Sequence, residues 1–285
     1  METPIRVYVG ATEEHLVPCG VLEYSIRKHT ASPVTVLPLY QSGIEIPVPQ
    51  DLANRPFTKF SFQRFLIPEI QSFSGRAIYL DSDMLVFRDI RQLWEHPFDG
   101  AHLLVVQHPE KKQMVQFSVL VLDCAALGWK ICDIVAGLDQ NQFTYGQLMD
   151  GKAVVKNIGI TISPAWNDLE HFDPHHTALL HFTRVTTQPW LSPRNPLGYL
   201  WFEALFQALD NGQIQLDLIK DHTQRGFLRP SVLWQIEHRV ADSLTIPKSV
   251  LTEFDARFVF PTFRKPPLAK RIRQLFNRVR TTLGG

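Results

Sequence analysis

Several signals are scarce or missing in this sequence of 285 residues, and each absence excludes a class of protein. The three cysteines are too few and too irregularly spaced for a disulfide framework or a paired-cysteine metal site. The chain also lacks the Gly-X-Ser-X-Gly, Walker, Gly-X-Gly-X-X-Gly and His-Glu-X-X-His motifs. These absences argue against α/β-hydrolases, P-loop enzymes, dinucleotide-binding enzymes and zinc proteases.

Long apolar runs are missing as well. The longest, at residues 117–122, is interrupted by Ser118 and falls far short of the roughly 18 residues that a membrane span needs. Glu2 and Arg6 break any basic-then-apolar leader pattern, so we expect no secretory signal. Together with the few cysteines, this predicts a reducing, cytoplasmic location.

The formal net charge of +1 hides an uneven distribution. Residues 264–280 contain seven Lys and Arg residues and no Asp or Glu. Of the 29 basic residues in the chain, 22 therefore remain elsewhere, against 28 acidic residues, a balance of −6. An acidic body argues against nucleic acid as a partner.

What the chain has is a large apolar fraction, 45%, with 20% charged residues, which is enough for a sizeable core. Apolar and β-branched runs predict strands at 5–10, 34–40, 76–80, 103–106, 115–122 and 179–182. Helical periodicity is found at 16–26, 60–70, 127–138, 142–149 and, after a predicted Asn195 cap, 196–209. This alternation predicts an α/β fold with a mainly parallel central sheet, helices on both faces and a C-terminal helical segment.

Asp81-Ser82-Asp83 directly follows the short apolar strand at 76–80. Alone, such a motif is more often a polar turn that caps the next helix. Here a second apolar segment follows at once, and carboxylates held between two buried segments are costly without a nearby cation. The context therefore favours a metal site at the carboxyl end of the strand, where α/β sheets bind ligands.

Two further residues are candidates for the same site. His181 ends another short apolar strand, and an imidazole suits Mn²⁺ better than Mg²⁺ or Ca²⁺. Arg64 lies on the predicted helix before the acidic strand, where a guanidinium could bind a phosphate. Each has an ordinary alternative role. His181 could be a hydrogen-bonded histidine of the core, and Arg64 could form a surface ion pair with Glu69. His171, His175 and His176 are expected to be exposed loop residues.

In the order and spacing of these motifs, the region from about residue 5 to 190 resembles the family 8 glycosyltransferases, retaining enzymes of the GT-A fold. The resemblance implies that Asp81, Asp83 and His181 ligate Mn²⁺, with Mg²⁺ as the alternative. It implies that Arg64 and Ser82 contact a nucleotide-sugar, and that the loop Val9, Gly10, Ala11 and Thr12 holds its base and ribose. The histidine's segment reads HFTRVTTQPW, which is similar to the family's run ending in Lys-Pro-Trp.

The chain departs from the family pattern at three places. The Asn-Ala-Gly before the central strand reads Gln116-Phe117-Ser118, and the diphosphate-binding Lys is replaced by Gln188. The Asp-Gln-Asp reads Gly146-Gln147-Leu148. Gln147 is then the candidate for the reacting face of the sugar, and Asp83 the metal ligand on which catalysis depends.

The resemblance implies a metal-dependent retaining transferase that moves a hexose from a UDP-sugar to a hydroxyl acceptor, for which we expect a lipid-linked or envelope glycan. Two alternatives stay open. One is a hydrolase that uses Asp81 and Asp83 as paired carboxylates, although adjacent loop positions fit the required separation poorly. The other is a non-catalytic nucleotide-sugar-binding or scaffold protein of the same fold.

We expect a catalytic domain at 1–262, with a donor-binding part at about 1–125 and an acceptor and metal-completing part at about 126–262. Residues 263–285 form a separate basic tail. Its apolar residues from Leu268 to Leu283 fall on one stripe of a helix, with basic residues on the other faces. Such a helix can lie on the anionic inner face of a membrane. The alternative is a helix packed on the catalytic domain.

Overall fold

The computed structural model describes residues 3–56, 58, 60–107, 115–151 and 153–259. Its strands are β1 (Ile5–Gly10), β2 (Val34–Pro38), β3 (Arg76–Asp81), β4 (Met84–Val86), β5 (Leu103–Gln107), β6 (Val115–Asp123), β7 (Ile158–Ile162), β8 (Asp168–Leu169) and β9 (Leu179–His181). Its α-helices are α1 (Leu16–Lys28), α2 (Ile67–Ile70), α3 (Arg91–Trp94), α4 (Cys124–Leu127), α5 (Ile131–Asp139), α6 (Tyr145–Met149), α7 (Gly198–Asp210), α8 (Leu216–Gln224), α9 (Ser231–His238) and α10 (Lys248–Asp255). Short 3₁₀ turns connect several of them.

Six strands form the central sheet in the order β2-β1-β3-β6-β5-β7. The pairs β1–β2, β1–β3 and β5–β7 are parallel. Strand β6 runs antiparallel to both of its neighbours, β3 and β5. The predicted α/β fold with a mainly parallel sheet is thus confirmed, with one reversed strand at its centre.

Apolar side chains are buried on both faces of this sheet. On one face, β1, β3 and β6 pack against α1 through residues such as Leu22 and Ile26. On the other face, the alternate residues of the same strands pack against α2, α4, α5 and α6. The period-two alternation of the strands therefore supplies two cores, as a sheet covered on both sides requires.

A second, three-stranded sheet in the order β4-β9-β8 lies beside the first. Strand β4 leaves the acidic motif, and β9 pairs antiparallel with it, so that Met84 lies opposite His181. A third apolar cluster, which includes Trp190 and Trp201, packs this small sheet and α1 against the C-terminal helices. The pairing of β4 with β9 joins two segments about a hundred residues apart in the chain.

Several predicted helix bounds are wrong. The helix expected at 127–138 begins only at Ile131, as α5, because Gly128 adopts the left-handed conformation and ends the preceding helix α4. The helix expected at 60–70 is a 3₁₀ turn at Gln63–Leu66 followed by α2, in which Pro68 lies in the first turn. Asn195 precedes α7 by three residues, and its side chain accepts the backbone N–H of Leu197 instead of capping α7 directly.

In the part of the chain that the structure describes, no helix is both long enough and apolar enough to cross a bilayer. The predicted basic helix, with its apolar stripe from Leu268 to Leu283, lies outside the described residues.

Candidate functional site

The acidic motif lies at the carboxyl end of β3, near the middle of the large sheet. In the parallel pair β1–β3, Gly10 is in register with Asp81. The loop that follows β1 and the turn that follows β3 therefore leave the same edge of the sheet. Ser82 is buried between the two carboxylates. The predicted donor loop and the predicted metal motif are thus neighbours.

His181 reaches this edge through the small sheet. Its Nε2 atom lies 3.0 Å from Asp83 Oδ1. Among the described residues, Asp81, Asp83 and His181 offer ligand atoms that all lie within 4.8 Å of one another. The structure therefore brings together the three residues that the resemblance implies as metal ligands.

Residues from the first half of the chain, in which Asp81 itself lies, hold the Asp81 carboxylate. The phenol of Tyr79 donates a hydrogen bond of 2.7 Å to Asp81 Oδ1. The guanidinium carbon of Arg64 lies 4.8 Å from the centre of the Tyr79 ring. Burial raises the pKa of Asp81 above its ordinary value, and neighbouring Asp83 adds to this, although Arg64 acts in the opposite direction.

The absence of a side chain at Gly10 makes room for this arrangement. A Cβ atom placed on Gly10 would lie 2.1 Å from the Tyr79 hydroxyl. Any larger residue must therefore displace the phenol that holds Asp81. Glycine is required here by close packing, since its backbone dihedrals are those of a strand.

Arg64 is buried, which excludes the expected alternative of a surface ion pair with Glu69. Its Nη1 atom donates to the carbonyl oxygen of Phe117, while its buried Nε atom has no hydrogen-bond partner. A buried guanidinium with an unused donor beside a carboxylate site is well suited to an incoming anion.

The Asp83 carboxylate is held by residues from the second half of the chain. Oδ1 faces His181, and Oδ2 accepts a hydrogen bond of 2.8 Å from the amide of Gln188. The same amide donates to the carbonyl oxygen of Phe182. From the sequence, Gln188 was noted only because it replaces the family's diphosphate-binding lysine. In the structure it is buried and supports Asp83, a predicted metal ligand.

The imidazole of His181 lies close to two carboxylates, those of Asp83 and Asp81. Burial alone would lower its pKa, but Asp83 and then Asp81 outweigh burial, and the pKa is raised from the ordinary value of 6.5. Its second nitrogen, Nδ1, lies 2.9 Å from the amide oxygen of Asn167. Asn167 was missed by sequence reasoning, because nothing in the local sequence around Trp166 indicates a contact with a histidine fourteen residues later.

The loop after β1 is held by Gln63, which was also missed. Its side-chain amide accepts the backbone N–H of Ala11 at 3.0 Å and donates to the Ala11 carbonyl at 2.7 Å. Thr12 starts the following turn, and its hydroxyl lies 2.9 Å from His15 Nδ1. The only available signal was the position of Gln63 directly before Arg64.

Gln147 is exposed at the start of α6. Its amide oxygen accepts the backbone N–H of Thr144 at 2.8 Å, and Thr144 Oγ1 accepts the backbone N–H of Gln147 in return. This is a capping box, so the side chain has a structural task in this helix. As predicted, His171, His175 and His176 are exposed.

The chemistry of the donor set fits a divalent cation. Two carboxylate oxygens suit hard cations such as Mn²⁺ and Mg²⁺, and the imidazole nitrogen favours the softer Mn²⁺. Ligand atoms about 2.1 Å from one cation lie at most about 4.2 Å apart, so small side-chain movements would close a cluster of this size around it.

A comparison with protein families finds that the profile of glycosyl transferase family 8 matches residues 50–123. This range includes Arg64, Asp81 and Asp83 but ends before Gln147 and His181. Protein CDI of Arabidopsis thaliana is 31% identical over 107 residues, which are 37% of this chain and 41% of that protein. The chain thus matches well under half the length of this curated relative.

Solved structures of low sequence identity share the fold. The apo structure of the bifunctional glycosyltransferase WbbM has a TM-score of 0.56 at 11% identity, covering 72% of this chain and 50% of WbbM. The galactosyltransferase LgtC, in complex with donor and acceptor sugar analogues, has a TM-score of 0.53 at 14% identity, covering 74% of this chain and all of LgtC. GlyE of Streptococcus pneumoniae has a TM-score of 0.52 at 15% identity, covering 74% of this chain and 64% of GlyE.

The predicted resemblance to family 8 and the predicted GT-A fold are confirmed by these matches. The matched family profile and the three structures are those of glycosyltransferases.

Proposed function

We propose that this chain, whose residues 50–123 match glycosyl transferase family 8 and whose fold is shared with solved glycosyltransferases, is itself a glycosyltransferase that transfers a hexose from a UDP-sugar to a hydroxyl acceptor with the help of a divalent cation. The observation that carries this proposal is the convergence of Asp81, Asp83 and His181 within 4.8 Å at the end of β3. A paired-carboxylate hydrolase is disfavoured, because Asp81 accepts the Tyr79 hydroxyl and Asp83 is held by His181 and the Gln188 amide, so both carboxylates already have partners.

In this proposal Asp81, Asp83 and His181 hold the cation, with Mn²⁺ preferred over Mg²⁺. When bound, the cation supplies Lewis-acid stabilisation of the negative charge that develops on the departing diphosphate. Arg64 adds a charge-assisted hydrogen bond to the same diphosphate through its unused Nε donor. Tyr79 and Gln188 keep the two carboxylates in place before the donor arrives.

The loop Val9–Thr12 is proposed to hold the base and ribose. Support comes from the two hydrogen bonds that fix Ala11 to Gln63, since a loop fixed in advance loses less entropy on binding. Ser82, between the two carboxylates in the sequence, is proposed to contact the diphosphate. Gln147 is proposed to position the acceptor or the sugar, and it would then have to leave its bond to Thr144.

The test is a panel of UDP-hexoses with UDP release and product detection in Mn²⁺ and in EDTA. We expect UDP release that depends on Mn²⁺ and is lost in Asp81→Asn and Asp83→Asn. Asp133→Asn, an exposed carboxylate in α5, is the matched control and should keep full activity. A chain that binds UDP with Mn²⁺ but releases none from any donor would instead be the non-catalytic binding protein.

We also propose that the basic segment at 264–283 attaches the enzyme to an anionic membrane surface, where a lipid-linked or envelope-glycan acceptor would be found. Each basic residue near such a surface contributes about 1 kcal/mol, so the seven basic residues at 264–280 would give salt-sensitive attachment. The full chain should sediment with anionic vesicles at low salt, and a chain ending at Pro261 should not. Equal sedimentation of both, or of neither, would remove the membrane role.

A further inference from the structure

The turn that follows the proposed donor loop is tied to a C-terminal helix. Glu13 begins the 3₁₀ turn Glu13–His15, directly after Thr12. Its carboxylate faces the guanidinium of Arg225, the residue that follows α8. Arg225 Nη1 lies 2.8 Å from Glu13 Oε1, and Nη2 lies 2.8 Å from Oε2. This two-point ion pair, which we call the Glu13–Arg225 clamp, joins residues 212 positions apart in the chain.

The turn is closed by hydrogen bonds of its own, so Glu13 cannot move far without Thr12. The backbone N–H of His15 donates to the Thr12 carbonyl at 2.9 Å. The backbone N–H of Thr12 donates to His15 Nδ1 at 3.3 Å, and the Thr12 hydroxyl lies 2.9 Å from the same nitrogen. Glu13 lies between these two residues, and its position therefore sets that of Thr12, the last residue of the donor loop.

The end of α8 limits where the guanidinium of Arg225 can lie. The backbone N–H of Phe227 donates to the carbonyl of His222 at 2.8 Å, and that of Gly226 donates to the carbonyl of Thr223 at 3.1 Å. These two bonds form a Schellman motif, for which Gly226 adopts a φ of 76°. The motif turns the chain back, and the Phe227 ring lies under the guanidinium, with its centre 4.5 Å from the Arg225 guanidinium carbon.

An exposed ion pair usually contributes little, because two long side chains lose their freedom and salt screens their charges. Three features strengthen this one. The contact has two points, the guanidinium already stacks on Phe227, and Asp221 adds a second carboxylate 3.3 Å from Arg225 Nη1. The hydrogen bond from Arg225 also lowers the pKa of Glu13, so the clamp is charged at neutral pH.

The donor loop therefore has a support at each end. At Ala11, the buried amide of Gln63 bonds to both the backbone N–H and the carbonyl. Beyond Thr12, the support is Arg225, which belongs to the C-terminal helices. A donor-binding part confined to about residues 1–125 would lack this second support.

We propose that Arg225 is a positioning residue for the nucleotide, which clamps Glu13 from the end of α8 and so holds the loop Val9–Thr12 ready for the donor. A loop fixed in advance loses less entropy when its ligand binds, so loss of the clamp should weaken binding. The effect on UDP affinity rests on the proposed function, whereas the effect on the turn does not.

The first test removes each partner of the clamp in turn. Arg225→Met keeps a side chain that can cover Phe227, and Glu13→Gln keeps the size of the side chain. Isothermal titration of UDP in Mn²⁺ at physiological salt should show about three- to fivefold weaker binding in both variants. A long-range effect of charge on the UDP anion would instead shift the two affinities in opposite directions, because one variant loses a positive charge and the other a negative one.

Arg239→Met is the matched control for loss of an exposed arginine that pairs with a carboxylate. Arg239 pairs with Asp210, so it joins the end of α9 to the end of α7, and its guanidinium also lies over a phenylalanine ring, that of Phe206. Arg239→Met and Arg225→Met should change the free energy of unfolding by similar small amounts. Only Arg225→Met should bind UDP more weakly.

Hydrogen exchange of the metal-free, donor-free full chain measures the turn without any ligand. The His15 amide, which donates to Thr12, should exchange about three- to fivefold faster in Arg225→Met and in Glu13→Gln. The Ala11 amide, which is held by Gln63, should keep its wild-type rate. Combining Glu13→Arg with Arg225→Glu restores opposite charges, and this double variant should protect the His15 amide better than either reversal alone.

Unchanged UDP affinity or unchanged exchange of the His15 amide in Arg225→Met would overturn the inference. Tighter UDP binding by Glu13→Gln would overturn it as well. If the wild type binds no UDP in Mn²⁺, the proposed function fails, and the exchange rate of the His15 amide still decides whether the clamp holds the turn.

Discussion

The two carboxylates of the acidic motif are chemically identical and two residues apart, yet different parts of the molecule hold them. Around Asp81 lie Gly10, Arg64 and Tyr79, all within the first eighty residues, and we call these residues the Asp81 side. Asp83 is held by His181 and Gln188, and Asn167 contacts His181 from behind; we call these residues the Asp83 side. The Asp81 side is built into the large sheet, while the Asp83 side exists only because β9 pairs with β4.

The candidate site is therefore assembled where the two sheets meet. Disturbing the Asp81 side should change one carboxylate and the neighbouring loop after β1. Disturbing the Asp83 side should separate His181 from the two carboxylates of Asp81 and Asp83.

The largest effect on activity is expected from Asp83→Ala. It removes one ligand and leaves His181 and Gln188 without their common partner, so we expect metal-dependent UDP release to fall more than about 100-fold while the protein stays folded. Asp133→Ala is the matched control. Full activity of Asp83→Ala in the presence of EDTA would contradict the proposal.

A substitution on the Asp81 side tests close packing. Gly10→Ala would place a Cβ 2.1 Å from the Tyr79 hydroxyl, so we expect a loss of roughly 1–3 kcal/mol in the free energy of unfolding and weaker binding of UDP. Denaturant unfolding measures the first effect. Adding Tyr79→Phe removes the atom that clashes most and should recover part of the stability. No recovery in the double variant would show that Tyr79 is not the cause.

The pH dependence of stability tests how much His181 contributes to the Asp83 side. Because the pKa of His181 is raised in the folded protein from 6.5, its pairing with Asp83 and Asp81 stabilises the metal-free protein fully below about pH 6.5. That stabilisation is lost as the pH rises through the raised pKa. Thermal unfolding in EDTA should therefore show an advantage of wild type over His181→Gln at acidic pH that shrinks towards alkaline pH. A constant difference between the two proteins would contradict this account.

The smallest effect is expected outside both sides, at Gln147. Gln147→Ala removes one half of the capping box of α6, which should cost about 0.5–1 kcal/mol of stability. If Gln147 also positions the acceptor or the sugar, transfer should fall while binding of UDP and Mn²⁺ stays unchanged. Unchanged transfer would restrict Gln147 to its structural task.

The Asp81 side and the Asp83 side also differ in how far the sequence reveals them. A buried strand followed by Asp81-Ser82-Asp83 is a local pattern, and it predicted the end of β3 correctly. His181 was placed by its apolar strand together with the family resemblance. The roles of Asn167 and Gln188 depend on which strands pair and on how two loops pack, and no local pattern specifies such pairing.

Helix bounds failed for a similar reason. The apolar spacing of residues 127–138 fits one helix, but Gly128 takes a left-handed conformation that ends α4 and lets α5 begin three residues later. The reversal of β6 within a mainly parallel sheet was equally hidden, because the burial pattern of a central strand is the same in either direction.

Binding of a nucleotide diphosphate by Asp81, Asp83 and His181 through a shared divalent cation can be measured by isothermal titration of UDP into the full chain, with Mn²⁺ and with EDTA. We expect binding in Mn²⁺, at least tenfold weaker binding in EDTA, and loss of the Mn²⁺ dependence in His181→Ala. Equal affinity of the wild type for UDP in Mn²⁺ and in EDTA would contradict this proposal.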